Sequence, residues 1–162
     1  MEQDPVAVRM TKPAGAAATI TRRPASTQPS PSASTLEGVS PQEPSAGKVL
    51  VVDDDEAVRV LLTRYLEMEG FLVFAASNGY EALEKVREKL PDLVVLDVMM
   101  PEMDGFETLQ RIRENHSVPV IMLTVRGEEV DKVRGLQMGA DDSVTKPFSQ
   151  KELLSRIQAV IR

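Results

Sequence analysis

Six polar residues follow directly on short runs of strand-forming residues: Asp53-Asp54-Asp55 after Val49–Val52, Asp97 after Leu93–Leu96, Thr124 after Val120–Leu123, and Lys146 after Ser143–Thr145. Taken singly, each has an ordinary explanation. An Asp triplet is usually a solvated turn or a helix start, and a Lys before Pro usually lies on the surface. Asp97 is harder to dismiss, because it is the immediate continuation of an apolar strand. Carboxylates gathered within a few ångströms cannot all stay ionised uncompensated, so either a pKa rises or a cation enters. Oxygen ligands without His or Cys suit a hard ion, and Mg²⁺, which keeps waters and tolerates a phosphate partner, fits best. A metal-bound carboxylate beside a hydroxyl and an ammonium is suited to phosphoryl transfer, with the Asp as nucleophile and the cations absorbing charge on the phosphoryl oxygens.

The elements that must bring these residues together are legible as alternating strands and helices. Strands are predicted at Val49–Val52, Leu72–Ala75, Leu93–Leu96, Val120–Leu123 and Ser143–Thr145, the second weak and the last short. Between them run amphipathic segments. The first carries Val58, Leu61, Leu62, Tyr65 and Leu66 and stops near Gly70; the second carries Ala82, Leu83, Val86 and Leu90 and ends at Pro91. A third starts at Asp104 with Phe106, Leu109 and Ile112, and a fourth uses Val130, Val133 and Leu136 and ends at Gly139. The fifth opens on a capping box, Ser149-Gln150-Lys151-Glu152, and buries Leu153, Leu154, Ile157 and Val160. This alternation implies an α/β fold: a five-stranded parallel sheet, doubly wound into a (βα)5 three-layer sandwich. In such a sheet ligands bind beyond the carboxyl ends of the strands, where the six polar residues fall.

Composition sets the remaining bounds. The chain of 162 residues, 42% hydrophobic, suffices for one core and a tail, and without cysteine neither a disulfide nor a thiolate metal site contributes. Seven of the eleven prolines precede Gly47, among Ala, Ser and Thr, so residues 1–47 read as a disordered tail and residues 48–162 as the domain. The acid-free stretch from Pro5 to Leu36 faintly resembles an organellar transit peptide, but its prolines oppose an amphipathic helix, and a solvated leader is preferred. Four acids balance four bases in residues 1–47, so the net charge of -6 belongs to the domain. An acidic domain repels phosphate backbones, which argues against direct nucleic-acid binding by this segment. No apolar run is long enough to span a bilayer, and a cytoplasmic location is expected.

Val51-Val52-Asp53-Asp54-Asp55, Leu96-Asp97-Val98-Met99-Met100-Pro101-Glu102-Met103-Asp104-Gly105, Leu123-Thr124 and Thr145-Lys146-Pro147-Phe148 resemble the signature blocks of CheY-like response regulator receivers, in the right order from Lys48 to Arg162. The resemblance implies a flavodoxin-like fold. It makes Asp97 the phosphoacceptor, Asp54 a direct Mg²⁺ ligand, Asp53 a ligand through water, and the Met99 main-chain carbonyl the remaining protein ligand. Thr124 would contact the phosphoryl group, Lys146 would pair with it, and the Lys146–Pro147 bond would be cis. A sensor histidine kinase is the implied donor, so the chain would be a signalling domain that catalyses only its own phosphorylation and dephosphorylation. Asp104-Gly105 reads structurally, as the turn opening the third helix.

Two positions depart from that pattern. Ser143 stands where receivers carry Tyr or Phe, and Val125 where a small residue follows the Thr. The first puts the switch to the output face in doubt; the second narrows access to the phosphoryl pocket. The surface around helix four, strand five and helix five resembles the dimer face of OmpR/PhoB-type winged-helix regulators, implying intersubunit pairs Lys132 with Glu152 and Asp141 with Arg156. Gln137 and Gln158 replace another charged pair, and Asp142 would need an Arg beyond Arg162. Ending just after helix five is read as truncation of a transcription factor. Two alternatives stay open. A pseudo-receiver would keep the fold without phosphorylation; a haloacid-dehalogenase-like phosphatase would use the Asp53/Asp55 D-x-D spacing, although its acidic pair Asp141-Asp142 precedes Lys146 rather than following it and Asp97 is left without a role.

Overall fold

The computed structural model describes residues 46–125 and 127–162. Strands and helices alternate throughout: β1 (Gly47–Val52), α1 (Glu56–Met68), β2 (Phe71–Ala76), α2 (Gly79–Lys89), β3 (Leu93–Asp97), α3 (Gly105–Asn115), β4 (Val120–Val125), α4 (Glu129–Gln137), β5 (Asp142–Lys146) and α5 (Gln150–Ile161). The strands are parallel in the order β2-β1-β3-β4-β5. Each expected strand is found, extended by a residue or two. The tail assigned to residues 1–47 lies outside the described residues except for Ala46 and Gly47, and Gly47 already pairs with Phe71, so β1 starts one residue before the expected boundary.

Period-two alternation of near-continuous apolar strands gives the sheet two buried faces. Val49, Val51, Val95, Ile121, Leu123 and Val144 pack with Leu62, Leu66, Leu153 and Ile157 of α1 and α5. Leu50, Val52, Val94, Leu96 and Met122 pack with Ala82, Val86, Phe106, Leu109 and Ile112 of α2 and α3. Removing a fully buried leucine such as Leu50 or Leu96 by substitution with Ala costs about 2–5 kcal/mol in such an interior. Short side chains set the helix starts: Asp55, Asn78, Asp104 and Ser149 each accept a backbone N–H from the first turn that follows.

Helix α4 departs from the sequence expectation. Its apolar positions Val130, Val133 and Leu136, which an amphipathic helix would ordinarily bury, are 77%, 51% and 44% exposed. The buried residue is Gly135, where a Cβ would come within 3.3 Å of the Met122 side chain. Lacking a side chain there, the helix lies close on the sheet and its rotation is set by that contact; Val133, roughly 160° round the helix, then faces outward. Leu61 of α1 is also exposed, whereas Leu62 and Leu66 carry the packing.

Arg113 ties this flank to the body. From α3 its guanidinium donates to the carbonyls of Val118 at 2.7 Å and Gly139 at 2.9 Å and pairs with Asp141 at 3.2 Å. One side chain thereby anchors the segment entering β4 and the turn between α4 and β5.

Candidate functional site

The chain leaves β1 toward β2 on one side and returns to β3 on the other, so their following loops diverge and leave a crevice at the carboxyl edge. Register decides what lines it. Val52 pairs with Leu96, which sets Asp53 and Asp97 level with each other, one residue farther along. Asp97 pairs with Leu123, Thr124 with Thr145, and Val125 with Lys146, so Thr124 and Lys146 arrive at the same edge.

Parity then aims the side chains. Asp53, Asp97 and Lys146 continue the alternation that places Val51, Val95 and Val144 in the α1/α5 layer. Strands β3 and β5 flank β4, about 9.6 Å apart, a gap the long Lys stem crosses. The Lys146 ammonium lies 3.0 Å from Asp97 Oδ1 and 3.2 Å from Asp53 Oδ2. Asp53 and Asp97 are only 1% and 2% exposed, and Thr124, at the same edge, is also buried; Asp54 is open to solvent.

Two buried carboxylates sharing one ammonium are incompletely compensated. Burial pushes the Asp97 carboxyl up to about 6, and the charge of Asp53 adds to the rise, against the opposing hydrogen bonds from Lys146 and from the Met99 main-chain N–H. Burial acts to lower the Lys146 pKa, but the hydrogen bond and charge of Asp97, with the charge of Asp53, outweigh it and hold the ammonium above its ordinary range.

The residues fit a hard divalent cation. Asp53, Asp54 and Asp97 each offer a carboxylate oxygen, and these oxygens all lie within 4.8 Å of one another. Opposite ligands of an octahedral Mg²⁺ are about 4.2 Å apart, so this spread admits the ion, with room for a water between it and one carboxylate. Asp55 does not join them: its side chain accepts from the Ala57 N–H at 2.9 Å and caps α1. The D-x-D pair that a haloacid-dehalogenase-like site would use is therefore divided between the crevice and a helix end.

Two contributors to the site lie outside the residues singled out for chemistry. A Cβ on Gly105 would sit 2.3 Å from the Asp97 carbonyl, so only glycine lets α3 begin against the phosphoacceptor candidate; its N–H donates to Val98 at 2.9 Å and closes the loop. The Asp104-Gly105 turn was visible in sequence, but not this close approach. Arg59 donates from Nη1 to the Asp53 carbonyl at 2.7 Å, a contact that no spacing rule marks.

The Lys146–Pro147 bond is cis. Ser143 is buried, and its hydroxyl is the one buried side-chain N or O atom among the described residues with no hydrogen-bond partner. Asp141 accepts from the Val120 N–H at 2.9 Å as well as pairing with Arg113, and Arg156 pairs with Asp142 at 3.1 Å. Both members of the expected Asp141–Arg156 intersubunit pair are thus already engaged within the chain. No helix among the described residues is long and apolar enough to cross a membrane.

Comparison with known proteins agrees with this geometry. Residues 49–158 match the response regulator receiver domain family. The chain is 54% identical over 115 residues to a Transcriptional regulatory protein CpxR homolog of Haemophilus influenzae, covering 71% of this chain and 50% of that protein. It is 50% identical over 115 residues to the Transcriptional regulatory protein CpxR of Escherichia coli, covering 71% and 49%. The chain therefore spans about half the length of these relatives. Among solved structures, the receiver domain of the Francisella response regulator 1452 matches with a TM-score of 0.68 and 37% identity, over 71% of this chain and 96% of that one. The Vibrio cholerae chemotaxis protein CheY4 matches with a TM-score of 0.66 and 34% identity, over 72% and 99%. With the parallel sheet, the acidic crevice and the family match in agreement, the chain belongs to the response regulator receiver domain family.

Proposed function

We propose that this domain accepts a phosphoryl group on Asp97 from the phosphohistidine of a sensor histidine kinase, in a Mg²⁺-dependent reaction in the cytoplasm. The observation that carries the reading is the sharing of one ammonium, Lys146, by two buried carboxylates, with a third carboxylate within ligand distance. Asp54, Asp97, the Met99 main-chain carbonyl and, through water, Asp53 would hold the ion. When bound, Mg²⁺ supplies charge neutralisation for the carboxylates and the phosphoryl oxygens.

The chain's own residues do the rest. An Asp97 carboxylate oxygen attacks phosphorus in line; the P–N bond breaks, and its electron pair leaves with the donor imidazole, which takes up a proton. Lys146, already 3.0 Å from Asp97, turns its ammonium to a phosphoryl oxygen. The Thr124 hydroxyl donates to another, and Gly105 holds the Asp97 main chain against the start of α3.

The output is the flank formed by α4, β5 and α5. Relatives named as transcriptional regulators support a transcriptional output. Pairing between copies would use the exposed Val130, Val133 and Leu136 together with Lys132 and Glu152. An Asp141–Arg156 pair would require Arg156 to exchange Asp142 for the neighbour's Asp141, so it follows docking rather than guiding it. Such exposed pairs contribute about 0–1 kcal/mol each and set geometry more than affinity. With Ser143 in place of an aromatic, the coupling from Thr124 to this flank is weakened or rerouted; small α4 amide shifts on adding a phosphoryl analogue support this, and shifts as large as those of an aromatic-switch receiver sink it.

Incubation with acetyl phosphate and Mg²⁺, followed by mass measurement, tests the chemistry. A stable adduct that disappears in Asp97→Asn supports the phosphoacceptor. Absence of any adduct supports a pseudo-receiver, and turnover dependent on Asp53 supports a phosphatase.

A further inference from the structure

Arg59 lies one helical turn into α1, beside Asp53, Asp54, Asp55 and Glu56, yet among the described residues it makes no ion pair with any of these carboxylates. Its guanidinium instead donates to a neutral group, the Asp53 main-chain carbonyl, at 2.7 Å. Arginine near acids ordinarily pairs with them, because a charge-assisted bond to carboxylate is the stronger one. Two of the four acids are otherwise engaged: Asp53 Oδ1 accepts from the Asp55 N–H at 2.9 Å, Asp53 Oδ2 faces Lys146, and Asp55 caps α1, while Asp54 and Glu56 are open to solvent.

Every hydrogen-bonding group of Asp53 is thereby occupied. Its N–H donates to the Ala76 carbonyl at 3.2 Å, extending the β1–β2 ladder by one residue, and its carbonyl is held by Arg59. The peptide linking Asp53 to Asp54 is pinned at its oxygen. The orientation of that peptide sets the direction in which the Asp54 chain continues, and Asp54, the exposed member of the acidic trio, has no buried packing of its own to hold it. An alkyl side chain at position 59 would leave the 53–54 peptide free to turn.

We propose that Arg59 is a positioning residue for the cation site: by holding the Asp53 carbonyl it fixes the 53–54 peptide and keeps the Asp54 carboxylate within reach of Asp53 and Asp97. The inference rests on the Mg²⁺ reading above, and it makes a prediction opposite in sign to simple electrostatics. Removing a positive charge beside three acids should tighten cation binding if charge alone mattered. Removing a positioning contact should weaken it.

The test is Mg²⁺ titration of the folded domain by calorimetry, with backbone amide shifts recorded in parallel, for wild type, Arg59→Met, Arg59→Lys and Arg64→Met. Arg64 is an exposed residue of the same helix, so its variant removes the same charge without touching Asp53. Arg59→Met should lose about tenfold in Mg²⁺ affinity, the low end of what losing an outer hydrogen bond to a metal ligand costs. Arg59→Lys, which keeps a donor, should recover most of it, and Arg64→Met should bind as wild type or slightly tighter. Affinity in Arg59→Met equal to or above wild type overturns the inference, as does an equal loss in Arg64→Met. If Arg59→Met does not fold, Arg59→Lys carries the test: an unshifted Asp54 amide with unchanged affinity supports a retained contact, and an affinity above wild type overturns positioning. Failure of wild type to bind Mg²⁺ is a different result, which removes the cation reading itself.

Discussion

The carboxyl edge of the sheet and the outward flank of α4 each place residues against their type, in opposite ways. At the edge, charged groups are buried; on the flank, Val130, Val133 and Leu136 stand in solvent while the hydroxyl of Ser143 is buried without a partner. The difference lies in what compensates each. Asp53 and Asp97 are answered inside the chain by Lys146 and by main-chain donors, leaving a deficit of positive charge that a cation would fill. The α4 stripe is covered by nothing among the described residues; on the proposed reading a second copy would cover it. The edge proposed as the phosphoacceptor site is nearly compensated within one chain, whereas the flank proposed as the output surface is left open.

The largest test of that contrast is Lys146→Met, which strands two buried carboxylates. We expect a loss of about 3–5 kcal/mol in urea unfolding at pH 7.5. The loss should shrink at pH 5, because Asp97, whose carboxyl burial pushes up to about 6 even with the ammonium present, then takes up a proton. Equal losses at both pH values would mean that the edge is held by something other than charge compensation.

Asp97→Asn should act in the opposite direction. A carboxyl raised from 3.8 to about 6 binds its proton more tightly folded than unfolded, so its stabilising contribution is complete below pH 3.8 and is lost as pH rises through about 6. At pH 7.5 without Mg²⁺ the Asn variant should therefore be more stable by about 1–3 kcal/mol, and near wild type at pH 4. A variant less stable than wild type at pH 7.5 would show that the Lys146 pair outweighs the burial cost.

On the flank the effects are smaller. Ser143→Ala removes a buried hydroxyl without removing a bond, and should raise thermal stability by about 1 kcal/mol. A loss instead would reveal a partner for that hydroxyl. Val133→Ser should leave the monomer within about 0.5 kcal/mol of wild type while reducing self-association in sedimentation at high concentration. A cooperative loss of stability there would place the stripe in the core after all.

Much of this is legible in the amino-acid sequence. Short strand-forming runs followed by Asp53, Asp97, Thr124 and Lys146 mark four strand exits, and all four reach one edge because parallel strands in a doubly wound sheet share their direction. Asp104 and Ser149 as helix caps were equally visible, since capping depends on a few neighbouring residues. The rotation of α4 was not. Its 3-residue spacing reveals an apolar stripe but carries no direction, and the close contact at Gly135 that sets the direction lies against Met122 of β4. The Arg113–Asp141 pair was equally hidden, because its members lie far apart in sequence.

What the amino-acid order determined by itself is therefore local: where strands stop, which side chains share a sheet face, and which residues begin helices. These follow from period-two and 3.6-residue geometry and from single-turn hydrogen bonds, which need no distant partner. Tertiary structure alone decided which carboxylates share Lys146, that Arg59 spends its charge on a carbonyl, and which way α4 turns its stripe. Each of these depends on a distance between groups that only packing of the layers sets.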